Sequence, residues 1–409
     1  MAGVTVRLQV VTPLFMGGAH PRGEPPELRA QSVRGALRWW LRALLGGCGW
    51  AGPDFQDTEV LWQEEAKVFG SAAAESGGAS PVVVRVSDIK AGIDTIQKTN
   101  QRGNGQDYLL YGMHEQSTRD RDNYQAARRY YTTATSFTLH FDVRPGAKNG
   151  EEALHQVCTS LWLLVSLGGL GSRSRRGAGC LDVVELAKGW PADLPPIFDP
   201  TSSPSTLQLK LEQGLTQIRS TLGAESFSPL PGVVSPFTLL HPALFEVYVL
   251  DKTWGTWQQA MDAVGQAFAG TRMSLSPDMK VVADFLQSGT VPWQIHRAVL
   301  GLPLPFYFTN LGIQRKVKAT VNGSKHDRSA SPLTFHFTRL KNRSLCVLLT
   351  ASHQRLLPDG EDLTISSGGR TGRTASLPVP GTIVFDRLLS DVKTALATST
   401  GTTLNRVAY

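Results

Sequence analysis

Apolar and polar residues alternate from the start of the chain. Val4, Val6, Leu8 and Val10 are separated by Thr5, Arg7 and Gln9, the period-two pattern of a half-buried strand. Thr12-Pro13-Leu14-Phe15-Met16-Gly17-Gly18 breaks that pattern into a turn, and a polar, proline-rich loop runs on to Arg29. From Gln31 to Gly46 the period becomes helical. Val33, Leu37, Trp40, Leu41 and Leu44 form an apolar stripe, and Arg34, Arg38 and Arg42 form a basic one. Ser32 is expected to cap this helix, and Gly46-Gly47 to stop it. Residues 71–80 and 99–124 are polar and predict loops or a mobile insertion. Thr135 to Val143 alternates again, with Phe137, Leu139 and Phe141 on one face. Glu151 to Leu167 predicts a second helix, which runs into Gly168-Gly169-Leu170-Gly171-Ser172-Arg173-Ser174-Arg175-Arg176-Gly177-Ala178-Gly179 and then a short strand, Cys180 to Leu186. The first half therefore reads β-α-(insertion)-β-α-β.

Residues 187–206 hold five prolines and little periodicity, which predicts a linker. Beyond it, Leu207 to Leu211 and Phe245 to Leu250 predict strands, and Trp257 to Phe268 a helix. Pro332 to Arg339 and Ser344 to Thr350 predict a hairpin around the turn Leu340-Lys341-Asn342-Arg343. Gly381 to Thr398 predicts a closing strand and helix. A length of 409 residues fits about two domains. The expectation is an α+β protein with an N-terminal domain over 1–190 and a C-terminal domain over 207–409.

Charge sharpens this picture. The chain carries 41 basic and 34 acidic residues, a net +7. Residues 315–343 alone hold eight basic residues and one acid, which equals that whole excess. Lys316 and Lys318 are candidate polyanion contacts on this ground alone. Cys48, Cys158, Cys180 and Cys346 are scattered without CxxC spacing, so free thiols in a reducing cytoplasm are expected. The start lacks a signal-peptide pattern, and Val157 to Leu170 is too short to span a bilayer, so no membrane association is expected.

The glycine-rich stretch is the strongest local signal, with five glycines and three arginines in twelve residues. Glycine lets a backbone approach a phosphate, and arginine adds a charged fork. No Gly-Lys-Ser/Thr follows, so it is not a P-loop. It follows a helix and precedes a strand, the reverse of a dinucleotide fingerprint. A flexible basic surface turn is the plainer alternative. The arginine stripe shows no acid partner four residues away, and a solvated face is its plainer reading. Trp39 and Trp40 fit core packing better than base stacking. No HExxH, HxH or His/Cys cluster and no GxSxG elbow is present, so neither metal nor cofactor is expected. Asp54 with Asp57, and Asp120 with Asp122, read as solvated loop pairs. His20, near Arg22, is an ordinary loop histidine with no visible partner group.

Three strings in order carry a resemblance: Thr12 to Gly18, Glu27-Leu-Arg-Ala-Gln-Ser-Val-Arg-Gly-Ala-Leu-Arg-Trp-Trp-Leu-Arg42, and Gly168 to Gly179. Together they resemble the RAMP superfamily of CRISPR effector proteins. The wide gap before the glycine loop, and the later Arg328-Ser-Ala-Ser-Pro-Leu-Thr-Phe335, look most like the first RAMP subunits of type III-B (Cmr) complexes. The resemblance implies two ferredoxin-like (RRM-like) domains with a basic cleft between them. It implies a non-cutting subunit that holds the 3′ portion of the guide RNA and helps capture target RNA beside other RAMP subunits. By matching position, Arg29, Ser32, Arg34 and Arg38 are candidates for RNA contact or subunit packing. Gly168, Gly169, Gly171, Arg173, Arg175 and Arg176 are the leading RNA-contact candidates, joined by Arg328 and Ser331. RRM-type aromatic motifs are absent from the strands, which favours phosphate contacts over base stacking on a sheet. Two rivals remain: a metal-independent RNA-processing endonuclease using His20 as base, and a scaffold with protein-only contacts.

Overall fold

The computed structural model describes residues 2–72, 78–99, 101–115, 125–185, 188–224, 227–275, 277–311, 314–368 and 372–409, with backbone alone at 310 and 314–316. The alternating N-terminus forms β1 (Gly3–Val10), whose Val4, Val6, Leu8 and Val10 are buried. The amphipathic segment forms α1 (Ala30–Gly47). Its N-cap is Arg29, with no side-chain cap bond, and Ser32 lies inside the first turn with its N–H on the Arg29 carbonyl. The expected Ser32 cap is therefore corrected: the cap lies three residues earlier, at Arg29.

Next come α2 (Thr58–Phe69), β2 (Val82–Lys90), β3 (Ile93–Thr95), the short α3 (Gly105–Leu109), β4 (Arg129–Tyr131) and β5 (Ser136–Val143). The second predicted helix is α4 (Gly150–Leu167), and β6 (Leu181–Val183) follows the glycine loop. The first sheet has the order β2-β5-β1-β6, antiparallel throughout. In chain order that is second, third, first, fourth.

Leu207 to Leu211 is not a strand but part of α5 (Pro204–Thr221). Ser203 caps it, Pro204 sits at its first position, and Leu207, Leu211, Leu215 and Ile218 are buried at helical spacing. A short alternating run was outweighed by a longer 3.6-residue period. Beyond α5 lie β7 (Phe245–Trp254), α6 (Trp257–Ser274), α7 (Pro277–Ser288), β8 (Leu304–Leu311) and β9 (Gln314–Gly323). The predicted hairpin is β10 (Leu333–Arg339) with β11 (Leu345–Ser352). The chain continues through β12 (Leu363–Ser367), β13 (Thr374–Leu377), α8 (Thr382–Thr400) and β14 (Leu404–Arg406). The closing helix thus precedes its strand.

The second sheet runs β10-β11-β7-β14, again second, third, first, fourth in its own chain order. Each half places two helices between the first and second strands of its repeated sheet, α1 and α2 or α6 and α7, and one between the third and fourth, α4 or α8. A third sheet, β13-β12-β9-β8, is inserted into the second half and packs Phe306, Val317, Val321 and Ile365 against Val282 and Phe285 of α7.

The two halves share apolar cores. Val247, Val249 and Leu348 from one face of the second sheet join the core of the first sheet, α1, α4 and α5. Its other face packs on α6 and α8 together with Phe15, Ala178 and Cys180 from the first half. Every residue of β11 is consequently buried, as in a sheet covered on both faces. Among the described residues no helix is long and apolar enough to cross a membrane.

Candidate nucleic-acid interface

The glycine loop is a clasp between the halves rather than a mobile turn. Most of its polar groups are used internally. The N–H of Arg176 and of Ala178 both donate to the Arg173 carbonyl, at 2.8 and 3.2 Å, and Leu170 N–H donates to Gly179 at 2.9 Å. Ser172 pairs with Phe15 of the loop after β1. Gly168 accepts from the buried His336 Nδ1 of β10 at 2.7 Å, and Gly169 packs against the Ala178 carbonyl. Gly171 has a φ of +78°, and Arg173 itself adopts +65°. At Gly177, with φ +81°, a Cβ would lie 2.0 Å from the Phe337 ring, so only glycine fits.

The loop arginines are half-buried, which corrects the reading of a plain surface turn. Arg175 donates to the Ser331 carbonyl, and its guanidinium lies 5.3 Å from the Trp39 ring. Arg176 donates to Leu333 at 3.3 Å and sits 4.7 Å from the Phe268 ring. Arg173 donates to the Tyr111 carbonyl. Burial pushes all three guanidiniums below their usual range, Arg176 to about 9.

Three further arginines converge here. Arg22 donates to the carbonyls of Gly112 (2.7 Å), Ala126 (2.7 Å) and His114 (3.4 Å). Arg128 donates to Ser172 Oγ at 3.1 Å, and Arg272 of α6 to the Tyr108 hydroxyl at 3.0 Å. Burial, then repulsion from Arg22, lowers Arg128. Among the described residues none of these six guanidiniums pairs with a carboxylate. Neutral acceptors orient them and leave their charge uncompensated.

A groove of about 250 Å³ opens between α1, the loop and the second sheet, lined by Trp39, Gly169, Gly171, Arg175, Thr334 and Thr350 among others. Among the described residues Arg175 is the single charged one in its lining. The positive charge lies beside this groove, not along its walls.

A sequence profile of the RAMP superfamily matches residues 7–182, from within β1 through α1 and the clasp into β6. The chain is 31% identical over 191 residues to the CRISPR system Cmr subunit Cmr1-2 of Pyrococcus furiosus, across 44% of this chain and 94% of that protein. This chain belongs to the RAMP superfamily, in its Cmr1 family. A second relative, Cmr subunit Cmr1-1 of the same organism, is 29% identical over 171 residues, covering 42% of this chain and 45% of that one. The crystal structure of Cmr1 from Pyrococcus furiosus in its apo form shares the fold, with a TM-score of 0.58 at 18% identity over 100% of this chain and 99% of the other.

The remaining RAMP-motif residues fall into separate places. Arg38 Nε lies 3.2 Å from Glu65 Oε1, and Arg42 Nη1 donates to Glu65 Oε2 at 2.6 Å. Two of the three arginines of the α1 basic stripe, Arg38 and Arg42, therefore grip a buried carboxylate of α2 while keeping contact with solvent. Arg34 faces Arg38 and Arg144 in a polar groove of about 550 Å³, and burial, then their repulsion, lowers it. Arg29 is exposed and donates to Gly17. Ser331 Oγ caps the start of β10 through Leu333, while Arg328 and Lys318 are exposed. Lys316 belongs to β9, but its side chain lies outside the described residues, as do Asp120 and Asp122. His20 is exposed in the loop after β1. No group of three or more metal-ligating side chains occurs among the described residues. The sequence reading did not take Arg22, Arg128 and Arg272 as candidates, because they are far apart in the chain and meet only in the fold.

Proposed function

We propose that this chain is a non-catalytic RNA-binding subunit of a type III-B CRISPR effector complex. It holds the 3′ end region of the guide RNA and helps capture target RNA, beside other RAMP subunits in the cytoplasm. The repeated strand order supports reading the halves, 1–190 and 207–409, as two ferredoxin-like domains, with the basic surface at their junction. The observation that carries the reading is the set of six arginines around the clasp. A guanidinium held by carbonyl or hydroxyl oxygens is fixed in place yet keeps its full charge for a polyanion. Arg29, Arg34, Arg38, Lys316, Lys318, Arg328 and Ser331 extend the candidate contacts.

The test is the affinity of the full chain for a labelled single-stranded RNA across a salt series. If about six phosphates are neutralised, log K falls against log salt with a slope near −4, from roughly 0.7 per phosphate. The RNA stays intact in the same samples. An affinity independent of salt overturns the reading, and metal-independent cleavage lost on His20→Ala favours the endonuclease.

A further inference from the structure

Two large aromatic side chains stand out of the surface beside the clasp. Tyr111 is 57% exposed and Tyr307 is 59% exposed, although they are far apart in sequence. They are neighbours: burial, then the nearby Tyr307 phenol, raises the Tyr111 pKa. Both sit on firm supports. The Tyr111 carbonyl accepts from Arg173, which ties it to the glycine loop. Tyr111 follows α3, and α3 is docked on α6 with Gly105 against Gly265, a contact so close that a Cβ on either would lie 2.1 Å from backbone of the other helix. Gly105 N–H also donates to Asp262 at 2.7 Å. Tyr307 projects from β8 between the buried Phe306 and the half-buried Phe308, on the outer face of the third sheet. Directly opposite it in the register is Lys318, whose Nζ lies 5.7 Å from the Tyr307 ring centroid.

We infer that Tyr111 and Tyr307 form a platform on which bases of a single-stranded RNA stack, with Lys318 and Arg173 reaching the flanking phosphates. The inference rests on the RNA-binding reading and adds recognition of bases to it. Exposed rings with one cation over the Tyr307 ring and another bonded to the Tyr111 backbone match the chemistry of an unpaired strand, which offers a flat base and a phosphate at every step. The rings are held before the ligand arrives, so little ordering cost is due on binding. This stacking surface lies off the two repeated sheets, so the lack of RRM-type aromatic motifs on their strands does not bear on it.

The experiment compares two probes on the full chain: a 20-nucleotide single-stranded RNA, and a strand of equal length with abasic sites that keeps every phosphate. The wild type is expected to bind the base-bearing strand about tenfold more tightly, the effect of roughly one stacked base. The Tyr111→Leu/Tyr307→Leu double variant is expected to lose that preference and bind the base-bearing strand about tenfold more weakly, with salt slope and thermal midpoint unchanged. The Tyr111→Phe/Tyr307→Phe variant keeps both rings and is expected to bind like wild type. If the wild type binds both strands alike with its salt slope intact, the platform is wrong and the RNA reading stands. If the wild type shows no salt-dependent binding, both fall. A leucine variant that binds both probes normally but no longer joins neighbouring subunits marks the tyrosines as a protein contact and overturns the inference.

Discussion

His336 lies fully buried in β10 with its Nδ1 2.7 Å from the Gly168 carbonyl oxygen, so the proton sits on Nδ1 and the ring is neutral. Its Nε2 is buried without a partner, and a proton added there would carry an unpaired charge into the core. Burial accordingly pushes the ring down to about 4, against the opposing pull of the Gly168 carbonyl. The unfolded chain protonates near pH 6.5, so between about 6.5 and 4 the unfolded state binds a proton that the folded state refuses. The stabilisation is complete above pH 6.5 and lost as pH falls toward 4, a total of about 3 kcal/mol. Urea denaturation at pH 7.5 and pH 4.5 should show this loss, and His336→Gln should show a flatter dependence. Nothing in the sequence marks this histidine, because Leu333-Thr-Phe-His-Phe-Thr-Arg339 reads as an alternating strand with His336 on its polar side. The glycine loop passes over that side and buries it.

At the scale of elements, legibility follows period and length. The helices α1 and α4 and the β10–β11 hairpin are plain in the sequence because each carries an unbroken period bounded by glycine or proline. The third sheet is not. In β9, Val317, Ala319 and Val321 are buried and alternate with Lys318, Thr320 and Asn322, but the dense charge of 315–318 draws attention away from that period. The α1–α2 contact was equally hidden, since Glu65 lies 23 residues from Arg42 and no local rule joins them. Glu65 is only 6% exposed as a side chain and faces two guanidiniums. Glu65→Gln removes the carboxylate charge and leaves Arg38 and Arg42 partly buried without it. The expected cost is about 2 kcal/mol, below the value for fully buried pairs because both arginines retain access to water. A lower denaturation midpoint with RNA affinity retained is the outcome that fits; an unchanged midpoint would mean water replaces the carboxylate.

Across the whole molecule, the strongly basic stretch of the sequence and the arginine cluster at the junction are different places. Much of the 315–343 run decorates the third sheet and the β10–β11 turn, whereas the arginines of the junction come from four distant segments. Composition predicts a basic protein; only the fold shows where the arginines collect. The clasp has one more consequence, for how the chain avoids sticking to itself. β10 is the border strand of the second sheet, and its outward N–H groups at Phe335 and Phe337 are met by the Arg175 carbonyl of the glycine loop and by Sγ of Cys180, which follows it. Without that loop, Leu333, Phe335 and Phe337 would line an open strand edge, the usual template for aggregation. The fragment 207–409 made alone should therefore precipitate or elute as large aggregates in size exclusion, and making 1–190 alongside it should restore solubility. Synthesis from the N-terminus finishes the cover before the ribosome delivers the edge it protects.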